Sequence, residues 1–277
     1  MEVTQDNYYS AEINKEYMSF HTWLSLHGCD GKIPCEAMAI AEMNGEYSDQ
    51  EENQAFVIGG YVDAALAGDE EELEKFKSNH PELFSSRGAT KGQIKSTYAV
   101  ADIMIERCKK DKLFMAYMSG EKQRIFTAEM FGCKWKCKLD SYIPGKCIVD
   151  LKTTREMHKQ FYVPDIGHVD FISYYGYVYQ LAIYQEIVRI NTGEKLPCFI
   201  AAVSKSDHPE IKVIHIDDIS LYDALTEVKR SCENTSLLDV WRGTVEPLRC
   251  ESPGCHYCID TEVLTSTINY KDLIGVV

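Results

Sequence analysis

Apolar positions along the chain change period several times, and those changes mark out its elements. Residues 19–47 carry two short helical patterns, the first capped by Ser19 and the second beginning at Pro34, whose missing N–H does no harm in a first turn. The run SDQEEN at 48–53 reads as an acidic linker. Residues 55–66 fit a helix despite the Gly59-Gly60 pair, and the following EEELEKFK reads as a solvated helical face. SSRGAT marks a loop. Residues 93–118 return to helical spacing at Ile94, Ala101, Ile105 and Cys108, with Gly120 as the stop.

Period 2 then takes over. Alternating runs at 124–130, 134–140 and 146–153, separated by Phe131-Gly132 and Pro144-Gly145, predict a three-stranded antiparallel meander. After a loop with Pro164 and Gly167, residues 170–190 place Tyr177, Leu181, Tyr184 and Val188 on one helical stripe. Strands at 198–204 and 211–216, a helix over 220–242 and a Cys-rich tail complete the order. The expected class is α/β, with a mixed central sheet flanked by helices. No internal repeat or low-complexity tract interrupts it.

With 277 residues, 45% of them apolar, the chain suits a single domain with its own core. No run approaches the roughly 20 apolar residues of a membrane span, and the first residues lack a signal-peptide pattern, which points to a cytoplasmic protein. Lys and Arg number 29 against 43 Asp and Glu, a net charge of −14. That balance opposes non-specific binding to a polyanion, so any nucleic-acid contact must come from a local basic surface or a metal. Eleven cysteines without a secretion signal read as thiols and metal ligands rather than as a disulfide framework.

Alternation in the second strand places Cys133, Trp135, Cys137 and Leu139 on a buried face, and Lys134, Lys136, Lys138 and Asp140 on the other. The lysines suit either phosphate contact or an exposed sheet edge. In the third strand Asp150 and Lys152 share a face, about 7 Å apart along it. Two carboxylates converging with a lysine suit phosphodiester hydrolysis, the carboxylates holding Mg²⁺ or Mn²⁺ and the lysine positioning or deprotonating water. Alone, an Asp-x-Lys triplet reads equally as a surface ion pair beside a turn Asp.

The run KLDSYIPGKCIVDLKTT followed by QLAIY resembles the PD-(D/E)xK nuclease superfamily, specifically the RecB-like and RecE-like phage exonucleases of the exonuclease VIII type. The resemblance implies a restriction-endonuclease-like core at about 53–217 in a single nuclease domain of residues 1–277. The helical segment 1–52 and the tail 218–277 would pack together beside it. It also implies that Asp140 and Asp150 bind metal, that Lys152 is catalytic, and that Gln180 and Tyr184 hold the active site and DNA. Tyr184 reads equally as a core aromatic. Related enzymes carry a His in a preceding helix, where this chain has Asp63. A third carboxylate ligand is the expectation there, against a plain helix-face Asp. Glu129 is a further carboxylate candidate.

The tail RCESPGCHYCID contains Cys250, Cys255 and Cys258 beside Pro253 and Gly254, which can bend the backbone around an ion. Some RecB-like nucleases carry an iron–sulfur cluster with one cysteine before the nuclease motifs and three after them. By that resemblance Cys35, with Cys29 as the alternative, completes a [4Fe–4S] site that clips the chain's ends together. Zinc, with His256 nearby, and bare thiols are the competing readings. Cys108, Cys133, Cys137, Cys147 and Cys198 sit in apolar patterns and read as buried small hydrophobes.

The resemblance implies a metal-dependent exodeoxyribonuclease acting on linear DNA in phage-type recombination, beside a single-strand-annealing partner and as a homo-oligomer. A catalytically silent DNA-binding or assembly module and a zinc-dependent interaction protein are the alternatives.

Overall fold

The computed structural model describes residues 1–47, 54–250, 252 and 254–269; the acidic run at 48–53 and Pro253 lie outside them. The chain opens with α1 (Ala11–Glu16), β1 (Tyr17–Met18), α2 (Phe20–His27) and α3 (Glu36–Asn44). The Ser19 side chain caps α2 by accepting the Thr22 N–H. The next helix begins beyond Pro34, with Cys35 as its N-cap.

α4 (Gln54–Ala67) turns Ile58, Val62, Ala65 and Leu66 into a core, while α5 (Glu70–Asn79) is largely solvated, as its charge pattern predicts, and packs only Leu73 and Phe76 partly against that core. The Gly59-Gly60 pair has a packing reason. A Cβ on Gly60 would meet the Phe76 ring at 2.7 Å, and one on Gly59 would meet Thr153 Oγ1 at 3.2 Å. Missing side chains therefore let α4 lie close to α5 and to the strand bearing Thr153. The helix expected over 93–118 is shorter and divided. Ile94 pairs with Phe84 in a bridge, and α6 (Ala99–Lys109) gives way to α7 (Lys112–Tyr117) because Asp111 caps the latter by accepting the Phe114 N–H. Gly120 ends no helix; its N–H donates to Ser141 Oγ, and a Cβ there would strike the Tyr142 carbonyl oxygen at 2.4 Å.

β2 (Arg124–Met130) and β3 (Cys133–Leu139) form a tight hairpin whose two loop residues, Phe131 and Gly132, both have positive φ. β1 pairs in parallel with the other edge of β3. The predicted meander departs from a single ladder at Asp140. There the chain bends into β4 (Ser141–Ile143), which pairs with β5 (Cys147–Thr154) across a turn containing left-handed Gly145. The Asp140 carboxylate accepts the Leu151 N–H at 2.7 Å, in place of a backbone acceptor, and hydrogen bonding passes to a second sheet. That sheet has the order β4-β5-β8-β9, with β8 (Cys198–Ser204) parallel to β5 and β9 (Ile211–Ile216) antiparallel to β8.

Between β5 and β8 the chain forms a small hairpin, β6 (Phe161–Val163) and β7 (Gly167–Val169), where a loop was expected, then α8 (Phe171–Tyr174) and α9 (Tyr177–Thr192). One helix over 170–190 becomes two at Gly176, whose φ of 70° is the left-handed conformation that glycine adopts without strain; a Cβ there would stand 3.3 Å from Leu24 Cδ1. The expected helix over 220–242 likewise resolves into α10 (Asp218–Asn234) and α11 (Leu237–Trp241), and α12 (His256–Asp260) lies in the tail.

Helices cover both faces of the four-stranded sheet, the mixed α/β arrangement that the order of patterns predicts. Cys147, Val149 and Leu151 of β5 join residues of α4, α6 and α7, while Ile148 joins α2 and α9. Leu181, Ile183 and Ile187 of α9 are fully buried. Each such side chain contributes about 1.5–3 kcal/mol, against a few tenths for a surface i,i+4 pair. Core packing thus sets the rotation of α9 and the direction of Gln180. Cys108, Cys133, Cys137, Cys147 and Cys198 are buried free thiols. Among the described residues no helix is long and apolar enough to cross a membrane.

Candidate active site

Asp140 directly follows β3, Asp150 and Lys152 alternate along β5, Gln180 and Tyr184 share a face of α9, and Asp63 belongs to α4. All six line one cavity of about 400 Å³. Its remaining walls include Tyr8, Tyr9 and Asn14 from the N-terminal segment, His21 and Ser25 from α2, and Ala39, Glu42 and Met43 from α3.

Asp150 is buried and held from two sides. Lys152 Nζ lies 2.6 Å from its Oδ2 as an ion pair, and Gln180 Nε2 donates to its Oδ1 at 2.9 Å. The same Gln180 nitrogen lies 3.0 Å from Tyr184 Oη, so Tyr184 is both a core aromatic and a polar neighbour of the site. The Lys152 ammonium also sits over the Tyr177 ring, 4.4 Å from its centroid. Gln123 Nε2 donates to Asp63 Oδ2 at 2.8 Å, from a backbone held at a φ of 49°.

Clustered carboxylates in this setting resist ionisation. Burial first, then Asp63 and Asp150, raise the Asp140 pKa well above the usual carboxylate range. Burial also pushes Asp63 up to about 6, Lys122 and Lys138 opposing it while Asp150 adds to it. For Lys152 burial works against the ammonium, but Asp150, Tyr177 and Asp140 outweigh it and its pKa ends above the ordinary value. A hard divalent cation fits this donor set. Its charge would relieve the mutual repulsion of Asp63, Asp140 and Asp150, and apart from the Lys152 ion pair neither Asp150 Oδ2 nor Gln180 Oε1 has a hydrogen-bond partner.

The three lysines of β3 have three different surroundings. Lys134 pairs with Glu16 at 2.7 Å on the surface. Lys138 lies over the rings of Tyr8 and Tyr9 at 5.0 and 4.5 Å and faces the cavity. Lys136 is only 1% exposed; it donates to the Tyr8 carbonyl and, at 2.7 Å, to Asn14 Oδ1. Burial, then Lys138, pushes its pKa down to about 8. Alternation along β3 identified the face of these lysines but not the N-terminal segment that covers it. Gln123, His21, Tyr8 and Tyr9 carried no sequence signal, since their role depends on packing alone. Glu129 is exposed beside the β2–β3 turn, opposite Lys134, and is not part of the cavity wall.

Cys35, Cys250, Cys255 and Cys258 meet at a second place, with all four sulfurs within 4.8 Å of one another. Cys29 is elsewhere, its thiol directed at the Tyr174 carbonyl at 3.3 Å.

A mixed α/β core that gathers Asp, Asp-x-Lys and Gln-x-x-x-Tyr around one cavity defines the PD-(D/E)xK class. Residues 18–261 match the family described as "PDDEXK-like domain of unknown function (DUF3799)", and the chain belongs to that family. Among solved structures it is similar to the crystal structure of a protein from Eubacterium rectale described as "Putative exonuclease", at 44% identity over 100% of both chains and a TM-score of 0.91. No curated protein matches it.

Proposed function

We propose that the protein is a metal-dependent nuclease that degrades linear DNA from an end. The observation that carries this reading is the meeting of Asp140, Asp150, Lys152 and Gln180, from three separate elements, on one polar cavity. Mg²⁺ or Mn²⁺ held by Asp63, Asp140 and Asp150 would polarise the scissile phosphate and steady the leaving oxygen. Lys152 positions the phosphate and the attacking water, as a cation its neighbours keep charged. Gln180 orients Asp150 without neutralising it. Lys138, which faces the cavity, and Lys152 supply the local positive charge that a chain of net charge −14 needs in order to meet a phosphate backbone, while Lys136 is sealed beneath the N-terminal segment. Tyr9, 72% exposed beside Lys138, offers a ring on which a base can stack.

Action at ends is supported by the walls of the cavity. α2, α3 and the N-terminal segment stand around the carboxylates, which suits entry of a strand end over the middle of a stiff duplex. The resemblance of KLDSYIPGKCIVDLKTT and QLAIY to RecE-like exonucleases makes resection of ends for recombination, beside a strand-annealing partner, the finer role proposed. The test is purified protein with end-labelled linear and closed circular DNA in Mg²⁺, Mn²⁺ or EDTA. Loss of linear DNA alone, dependent on the metal, is expected. Equal cleavage in EDTA would refute the metal-dependent reading, and equal cleavage of the closed circle would refute action from an end.

A further inference from the structure

Iron–sulfur clusters are the cofactor that RecB-like resemblance suggests for a Cys-x₄-Cys-x₂-Cys tail. The geometry here does not suit one. Cys35 Sγ lies 3.7 Å from Cys258 Sγ, and Cys250 Sγ lies 3.8 Å from the same atom. All four sulfurs fall within 4.8 Å of one another. These separations are far too long for disulfides, whose bond is about 2.0 Å. They agree with the edge of a tetrahedron of thiolates around one ion, about 3.8 Å for a zinc–sulfur bond of about 2.3 Å. Four thiolates that each bind a different iron at the corners of a cube must stand wider, because the cube has its own metal–metal edges.

We propose that Cys35, Cys250, Cys255 and Cys258 hold a single zinc ion in a closed tetrahedral site that ties the C-terminal tail to the start of α3. Backbone contacts already frame the site. The Ala37 N–H donates to the Leu248 carbonyl at 3.0 Å, the Leu248 N–H donates to Glu36 Oε2 at 2.8 Å, and Arg249 Nη2 donates to the Cys258 carbonyl at 2.7 Å. Four protein ligands leave no open position, so the ion is structural. Its effect reaches the carboxylate-lined cavity through α3, which begins at the thiolates and lines that cavity with Ala39, Glu42 and Met43. Removing the ion frees the tail and loosens one wall of the cavity.

The experiment is elemental analysis and spectroscopy of the full chain, purified anaerobically without added metal and independently of any cleavage assay. One zinc per chain in a colourless protein is expected. Replacing it with Co²⁺ should give the intense thiolate charge-transfer and tetrahedral ligand-field bands of a four-sulfur site, and a mercurial should release one zinc as four thiols react. Cys255→Ser should lose the ion and melt lower. Should that variant not fold, Cys250→His, which keeps a Cys₃His set, should still hold one zinc with weaker cobalt charge transfer. Iron with matching sulfide and a brown colour would overturn the proposal. So would a reduced, metal-free protein that takes up neither Zn²⁺ nor Co²⁺, or a Cys255→Ser protein with full zinc content.

Discussion

The Gln180 side-chain amide donates to Asp150 Oδ1 at 2.9 Å, joining α9 to β5 across 30 residues of chain. Because the donor is neutral, it fixes the carboxylate's orientation and leaves its charge available. Gln180→Ala should therefore weaken Mn²⁺ binding and cleavage together, by about 10–100-fold, the usual cost of losing a group that orients a metal ligand. It should also lower stability by about 1–3 kcal/mol through the unpaired buried oxygen. Calorimetric Mn²⁺ titration and a cleavage assay measure both effects. Wild-type metal affinity in the variant would remove Gln180 from the positioning role.

Lys152 is the counter-charge of a buried carboxylate, with side-chain exposures of 15% and 5% for the pair. Lys152→Met should abolish cleavage of linear DNA. In metal-free protein it should also cost stability on the order of 3 kcal/mol, since removing one partner strands the other charge. Mn²⁺ should restore most of the lost melting temperature without restoring cleavage. Cleavage at the wild-type rate, or a melting curve that ignores Mn²⁺, would contradict the roles assigned to the pair.

Asp63 makes the metal-free protein sensitive to mild acid in a defined direction. Its pKa is raised by burial to about 6, so the folded state binds more protons than the unfolded chain between the ordinary value of 3.8 and about 6. Its contribution is complete below that window and is lost as pH rises through it. Metal-free protein should thus lose stability from about pH 4 to about pH 6, and Asp63→Asn should flatten that slope while weakening Mn²⁺ binding. Melting temperatures across that range, with and without Mn²⁺, are the measurement; an unchanged slope in Asp63→Asn would place the titration elsewhere.

Lys136 shows the opposite sign. Its pKa is lowered to about 8, so between there and the ordinary 10.5 the unfolded chain binds more protons and stability rises with pH. Lys136→Met should remove that rise. It should also strip the donors from the Tyr8 carbonyl and Asn14 and speed hydrogen exchange over residues 8–14. Unaltered exchange in that segment would show that it is held by other contacts.

Local pattern explains why part of this site was legible early. Alternation in β5 settles that Asp150 and Lys152 share a face whatever the sheet meets, so that much follows from the chain alone, whereas Asp140 lies just past β3 where the chain bends. Helical spacing does the same for Gln180 and Tyr184. The departures occur where long-range groups compete with local preference. Gly176 divides a periodic helix by turning left-handed where α2 and the loop after it pack close by, and Asp140 bends the expected meander by taking the Leu151 N–H.

By itself, then, the sequence determined the main helical and strand stretches, the mixed α/β class and the shared faces of the Asp-x-Lys and Gln-x-x-x-Tyr motifs, but not the β6–β7 hairpin or the breaks within the long helices. Short-range periodicity carries that information without reference to the rest of the molecule. Only the tertiary structure decided that Asp63 of α4 reaches the same cavity, that Lys136 is buried beneath the N-terminal segment, and how closely Cys35 approaches Cys250, Cys255 and Cys258. Those outcomes depend on which apolar faces close on one another across the chain. Core packing settles that collectively, and no local run of residues encodes it.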